Sequence, residues 1–263
     1  MSKFKTIAAA VFLTFASAAA ATASDPAQAL KACMMEPDPD RNITDCTTVI
    51  DRGDAETPRN RAIAYLNRAI AYLQKSDNTR ALADLAASIA ADPTISGAYF
   101  NRALYYQRSG DLKRAIADYD AALRADPTLV LAYVNRGTMH YQQRAYEKSL
   151  ADFTKALELQ PGDADLTHNR GLALLALGRI DRAIADFNVA IERAPGRAHN
   201  WFNRARAYAS KGDLKRAAQD FAEALKRDAS FPDAAACLKA ADDAQAAKRK
   251  RSLPAQCLRD GVA

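Results

Sequence analysis

Three kinds of polar residue recur at an interval of 34 residues along this 263-residue sequence. The asparagines are Asn67, Asn101, Asn135, Asn169 and Asn203, and the arginines that follow them are Arg68, Arg102, Arg136, Arg170 and Arg204. The aspartates are Asp84, Asp118, Asp152, Asp186 and Asp220. An asparagine amide both donates and accepts hydrogen bonds, whereas arginine and aspartate form charge-assisted pairs. The spacing therefore predicts a row of amides along one helix face and a row of structural ion pairs between helices.

Conventional catalytic signatures are missing from the sequence, which has no H-E-x-x-H, G-x-S-x-G, phosphate-binding glycine loop or G-x-G-x-x-G. The histidines have no cysteine or serine partner in a recognisable context. His168, Asp165 and His199 could meet across neighbouring helices, but their spacing is not diagnostic of a metal site, and we interpret them as ordinary polar residues. We expect no enzymatic activity, no cofactor and no bound metal.

The four cysteines lie near the two ends of the chain, at Cys33, Cys46, Cys237 and Cys257. Four cysteines allow three connectivities, and loop closure favours the two local pairs, Cys33–Cys46 and Cys237–Cys257. Their spacing matches no C-x-x-C redox or zinc pattern. We predict two structural disulfides, which are typical of an oxidising compartment, with free buried thiols as the alternative.

The N-terminus has the pattern of a secretory signal peptide over residues 1–23. Lys3 and Lys5 precede a short apolar run, and Ala21-Thr22-Ala23 has the A-x-A form of a cleavage site. An uncleaved N-terminal anchor is the alternative. We predict cleavage after Ala23, export to a bacterial periplasm or an equivalent space, and no integral membrane segment afterwards.

The composition, 49% hydrophobic and 26% charged, is that of a globular protein and excludes collagen-like and fully disordered chains. Losing the signal lysines lowers the formal net charge from +6 to +4. The basic run Lys248–Arg251 could bind an acidic surface, although a solvated tail is the favoured interpretation. Because no basic pattern is interleaved with aromatic residues, we expect no nucleic-acid partner.

A fixed period over five units predicts a stacked repeat architecture. The units are 62–95, 96–129, 130–163, 164–197 and 198–231, without insertion or deletion. In the second unit, Tyr99, Ala103 and Tyr106 share one helix face, and Gly110-Asp111 breaks that helix. A second helix follows in each unit, and Arg144 weakens the break in the third. Such a hairpin must stack on its neighbours to cover its apolar sides.

These residues resemble the tetratricopeptide repeat. The first unit carries the family's pattern at Tyr65, Ala69, Tyr72, Ala81, Leu85, Ser88 and Pro93. His140 and Thr167 are the notable departures. The resemblance covers about two thirds of the chain and implies an all-α, right-handed superhelical solenoid of antiparallel helix pairs.

The two ends of the mature chain should cap this stack, because terminal units have an outer face without a neighbour. Residues 24–61 look like a degenerate hairpin with Cys46 in the aromatic position and a turn over Glu36–Arg41. Residues 232–263 read as a capping helix, Pro232–Ala247, followed by the basic tail.

In the resembled family, the asparagine position lines the inside of the superhelical groove, and some members use an asparagine row there to hold an extended peptide. The preceding positions would form an exposed apolar lining, at Leu66, Phe100, Val134, His168 and Phe202. One turn later come Ile70, Leu104, Thr138, Leu172 and Arg206. The basic clamp by which other members grip a terminal carboxylate is absent. The alternative is that the asparagines only solvate an exposed helix face.

The sequence thus indicates an exported interaction scaffold that binds proteins or extended peptides in a groove. One alternative is a structural subunit of an envelope complex, with a groove filled by its own tail or by another subunit. A weaker alternative is a receptor for a small ligand or metal that uses His168 and His199. The pattern specifies a class of partner and neither its identity nor an oligomeric state.

Overall fold

A computed structural model describes residues 25–231, 233–246 and 253–258. The predicted signal peptide, Pro232 and the basic run Lys248–Arg251 lie outside the described residues. Within those residues the secondary structure is helical, without any strand, which confirms the all-α prediction. None of the described helices combines the length and the apolar character needed to cross a membrane.

Thirteen α-helices follow one another in the described part of the chain. They are α1 (Pro26–Met35), α2 (Pro39–Ile50), α3 (Pro58–Gln74), α4 (Asn78–Ala91), α5 (Ser96–Arg108), α6 (Leu112–Ala125), α7 (Val130–Gln142), α8 (Tyr146–Leu159), α9 (Ala164–Ala176), α10 (Ile180–Arg193), α11 (Ala198–Lys211), α12 (Leu214–Arg227) and α13 (Ala234–Ala246). Helices α3 to α12 form five pairs, and the second to fifth begin at or within two residues of the predicted unit boundaries. The first pair begins earlier, because Pro58 occupies the first turn of α3 and Thr57 caps it through Asn60 N–H.

The turn inside each pair contains one residue with a left-handed backbone. Gly110, Gly178 and Gly212 hold this position with φ of 82°, 71° and 83°. Ser76 and Arg144 adopt the same conformation, with φ of 61° and 60°, although side chains disfavour it. Helix α7 therefore ends as abruptly as its counterparts, and the loss of glycine at Arg144 does not weaken the break.

Each pair is held together by a large side chain on the second helix that meets a small residue on the first. The large residues, Leu85, Tyr119, Phe153, Phe187 and Phe221, have no solvent exposure. A methyl group added at Gly171 would lie 2.8 Å from the ring of Phe187, and one at Gly137 would lie 3.3 Å from Phe153. The close approach of the two helices thus depends on the small residue that the repeat pattern predicts.

The described chain divides into two compact units, an N-terminal unit (residues 25–132) and a C-terminal unit (residues 133–258), with the boundary inside α7. In the N-terminal unit, successive helices from α1 to α6 pack on one another. In the C-terminal unit, successive helices from α8 to α13 do the same. Each unit is therefore a stack of helix pairs in its own right.

Both ends carry extra helices beyond the five pairs. Helices α1 and α2 bury Ala29, Cys33, Cys46 and Val49 together, and the Cys33 and Cys46 sulfurs lie 2.13 Å apart, at disulfide distance. The expected turn over Glu36–Arg41 is too long by three residues: α2 already begins at Pro39, because Asp38 caps it.

At the other end, α13 packs on α12 and replaces the missing next repeat. Cys237 of α13 lies at disulfide distance from Cys257, with the two sulfurs 2.13 Å apart. Cys257 belongs to residues 253–258, which we call the strap. The strap contains a single turn of 3₁₀ helix, Ala255–Cys257.

Candidate functional site

The repeated arginines and aspartates form bidentate ion pairs inside each helix pair. In all five repeats, the arginine Nε and Nη2 donate to the two carboxylate oxygens of the aspartate sixteen residues later, at 2.6–3.0 Å. The five aspartates are 4–7% exposed. The hydrogen bonds that Arg68, Arg102 and Arg170 donate to their aspartates raise the pKa of these arginines. Because the carboxylates are buried and fully paired, this row ties the two helices of each pair together.

The same arginines also reach across to aromatic rings and to the preceding pair. The Arg204 guanidinium lies 4.9 Å from the centre of the Trp201 ring and donates to Asn188. Arg68 lies 5.6 Å from the Tyr65 ring and donates to Thr47. These contacts occupy the guanidinium groups, so the arginine row belongs to the packing of the stack.

The first helices of successive pairs lie side by side within each unit, as α3 and α5 do in the N-terminal unit and α9 and α11 in the C-terminal unit. We call this side the first-helix face. It carries the recurring asparagines, which we call the asparagine column. Of the five asparagines, Asn135 and Asn203 are buried and the other three are half-buried.

In the N-terminal unit, Asn67 and Asn101 are half-buried and bond back to their own helices. Their amide nitrogens donate to the carbonyls of Ile63, at 2.9 Å, and Gly97, at 2.8 Å. Each bond uses one of the two amide hydrogens and orients the side chain on the helix. The column is thus held in a fixed geometry here.

In the C-terminal unit, the column enters a buried polar cluster. Asn135 and Asn203 are each 6% exposed, and Asn169 is half-buried. The Asn203 Oδ1 accepts from Arg206 Nη1 at 2.8 Å, and its Nδ2 lies 3.4 Å from His168 Nε2. Asn203 therefore already has partners that Asn67 and Asn101 lack.

The apolar lining beside the asparagines is half-buried, and the expectation of an exposed strip is wrong. Leu66, Phe100, Val134 and Phe202 are partly covered, and His168 is buried. The Phe100 ring lies 5.8 Å from Tyr119 of its own pair. The lining side chains thus pack against the core of their own helix pair, and only part of each side chain remains on the surface.

The structure brings two of the three residues of the possible metal site together. The rings of His168 and His199 lie 4.6 Å apart, whereas Asp165 pairs with Arg197. Burial, then the charges of His199, Arg197 and Arg206, lower the pKa of His168 well below its usual value, although a hydrogen bond with Asn200 opposes this shift. Among the described residues, no three His, Cys, Asp or Glu side chains gather closely enough to hold a metal ion.

The tetratricopeptide repeat family matches residues 66–130, 100–164 and 168–235 of this sequence. This chain belongs to the tetratricopeptide repeat family. No curated protein matches the chain.

Solved structures of this repeat class resemble the protein in fold. YrrB, whose structure is described as a TPR protein with an unusual peptide-binding site, is 24% identical, with a TM-score of 0.68 over 74% of this chain and 97% of YrrB. MamA is 22% identical, with a TM-score of 0.59 over 65% of this chain and 95% of its own. MamA from Desulfovibrio magneticus RS-1 is 20% identical, with a TM-score of 0.59 over 65% of this chain and 97% of its own. At these identities the likeness supports the tetratricopeptide fold alone.

Proposed function

We propose that this tetratricopeptide repeat protein is an exported scaffold that binds proteins or extended peptides on its first-helix faces. The recurrence of the asparagine column in every repeat, next to a half-buried apolar lining, carries this proposal. The repeated arginines and aspartates already bond to each other inside the stack. The asparagines are therefore the repeated polar groups whose amides can bind a partner. The peptide-binding site named for YrrB supports the same class of ligand.

The N-terminal unit offers the simplest version of this site. Asn67 and Asn101 each keep a second amide hydrogen beyond the bond to their own helix, and an amide oxygen accepts as well. Amide contacts of this kind satisfy a peptide backbone without selecting a side chain. Leu66 and Phe100 flank them and supply apolar surface for partner side chains.

Removing these two amides tests the proposal directly. A peptide selected from a random displayed library against the full chain would be titrated against the wild type and the double variant Asn67→Ala/Asn101→Ala. Each neutral hydrogen bond contributes about 0.5–1.5 kcal/mol, so we expect the double variant to bind about thirtyfold more weakly. Isothermal titration would measure the affinity, with circular dichroism as the control for folding. Unchanged affinity in the folded variant would refute peptide binding through these asparagines.

Export is the second part of the proposal. The A-x-A pattern before Ser24 and the two cysteine pairs at disulfide distance support an oxidising compartment. Mass spectrometry of unreduced protein from the cell envelope is expected to find an N-terminus at Ser24 and no thiol that reacts with an alkylating reagent. An intact Met1 with four reactive thiols would contradict export.

A structural subunit whose groove is occupied by its own chain is the competing function. The strap favours it, because the carbonyl of Leu258 accepts a hydrogen bond from Arg206 on the first-helix face of the C-terminal unit, at 3.3 Å. The binding titration described above separates the two, since a purely structural subunit would yield no peptide that depends on the asparagines.

A further inference from the structure

The strap is a short segment with one turn of 3₁₀ helix, and it packs on the last repeat. Leu253 is 5% exposed and Cys257 is fully buried. Both belong to one apolar cluster with Tyr208 and Phe221, and Leu258 packs at the margin of that cluster with Phe202. The strap therefore covers part of the apolar cluster of the last repeat.

The backbone of the strap is also linked to the asparagine column through the side chain of Arg206. The Leu258 carbonyl accepts from Arg206 Nη2 at 3.3 Å, and Arg206 Nη1 donates to Asn203 Oδ1 at 2.8 Å. Arg206 follows Asn203 by three residues, so both side chains share one face of α11. A peptide carbonyl is thus bound, through one intervening arginine, at the position where the column is proposed to hold a ligand.

Arg206 is specific to this repeat. The equivalent positions in the other four repeats hold Ile70, Leu104, Thr138 and Leu172. Arg206 is only 3% exposed, and a buried guanidinium requires acceptors in fixed positions. The strap carbonyl is one of those acceptors, which links the exceptional residue to the segment that covers it.

We propose that the strap is a tethered occupant of a peptide site on α11, and that this site takes a short peptide with a backbone carbonyl for Arg206 and an apolar side chain for the cluster around Tyr208 and Phe221. The inference rests on the proposed function, because it assigns one repeat of the same face a specific ligand chemistry. The link from Cys237 to Cys257 holds the strap near the site. A tethered segment competes at an effective concentration on the order of millimolar, so an external peptide must displace it.

The test uses the full chain and a fluorescein-labelled, amidated peptide, Leu-Pro-Ala-Gln-Ser-Leu, which is the strap with serine in place of Cys257. The release variant carries Cys237→Ser, Cys257→Ser, Leu253→Glu and Leu258→Glu. By fluorescence anisotropy we expect it to bind the peptide at least tenfold more tightly than the wild type. The matched control Cys33→Ser/Cys46→Ser opens the other cysteine pair and is expected to bind as weakly as the wild type.

Adding Arg206→Leu to the release variant is expected to weaken peptide binding about tenfold, because a hydrogen bond from a charged donor is lost. Leucine occupies the equivalent position in two other repeats, at Leu104 and Leu172, so this change suits the fold. A folded release variant that binds the peptide no better than the wild type overturns the proposal. Equal binding with and without Arg206 also overturns it.

A second measurement avoids the release variant in case it fails to fold. In the otherwise unchanged full chain, Arg206→Leu is expected to raise hydrogen exchange of the strap amides several-fold, and unchanged exchange overturns the proposal. A failure of this proposal and a failure of the proposed function would give different results. Loss of library-peptide binding on Asn67→Ala/Asn101→Ala, without strap-peptide binding to the release variant, would leave the scaffold function intact and remove only the site on α11.

Discussion

The two units use the same scaffold and differ in what lies on the first-helix face. In the N-terminal unit, Asn67 and Asn101 are half-buried and bond only to their own helices among the hydrogen bonds of the described residues. In the C-terminal unit, Asn203 is buried between His168 and Arg206, and the strap closes over Arg206. All three histidines of the sequence also lie in the C-terminal unit. A repeat can thus keep its packing residues while the polar contacts on its first-helix face change.

The largest effect should be common to both units, because the ion pairs belong to the shared scaffold. Asp118→Ala in the N-terminal unit and Asp186→Ala in the C-terminal unit each leave a partly buried arginine without its bidentate partner. We expect each to lower the unfolding free energy of its own unit by about 3 kcal/mol. Native-state hydrogen exchange would report the two units separately. A loss in only one unit would show that the scaffolds are not equivalent.

A smaller effect should separate the two asparagine environments. Asn203→Ala removes an acceptor of Arg206 and a neighbour of His168 in a buried cluster. We therefore expect the free energy of unfolding to fall by about 1–3 kcal/mol. Asn101→Ala removes only a bond to its own helix and gains helix propensity, so we expect a change below about 0.5 kcal/mol. Urea denaturation of each single variant measures both. Equal losses of unfolding free energy in the two variants would show that the two asparagine environments do not differ.

The remaining effect is a pH dependence confined to the C-terminal unit. Burial lowers the pKa of His168 below that of the unfolded chain, so the unfolded state binds more protons as the pH falls. Stability is then complete above about pH 6.5 and declines below it, by at most about 1.4 kcal/mol per pH unit. Hydrogen exchange between pH 7 and pH 5, corrected for intrinsic rates, should show this decline in residues 133–258 alone.

His168→Phe is the matched variant for this test, because the equivalent position holds Phe100 and Phe202 in two other repeats. It is expected to reduce the pH dependence without a change of fold. A decline of the same size in the variant would assign the pH dependence to other groups.

The repeat pattern is sufficient to predict the helix pairs and the residues that meet inside them. Periodicity places a small residue opposite a large one in every pair, and the short loop between Cys33 and Cys46 favours the pairing that the structure brings together. Both consequences depend on contacts that are local or that repeat, so one unit predicts the next.

The contact between the strap and Arg206 could not be predicted in this way. It depends on residues 253–258, which lie outside the repeats and contact α11 from more than forty residues away. The one signal in the sequence was Arg206, a cation in a column of Ile70, Leu104, Thr138 and Leu172. A break in a repeated column marks the place where a segment from outside the repeat makes contact.

The left-handed turn residues bear on protein engineering. Ser76 and Arg144 hold a backbone conformation that glycine holds in the other three pairs, and a side chain makes that conformation costlier by about 1 kcal/mol. The substitutions Ser76→Gly and Arg144→Gly would remove this strain, although they would also make the unfolded chain more flexible. Both positions lie in the turns between helices and outside the asparagine column. One falls in each unit, so the thermal tolerance of the two units can be adjusted independently while the residues of the first-helix faces stay unchanged.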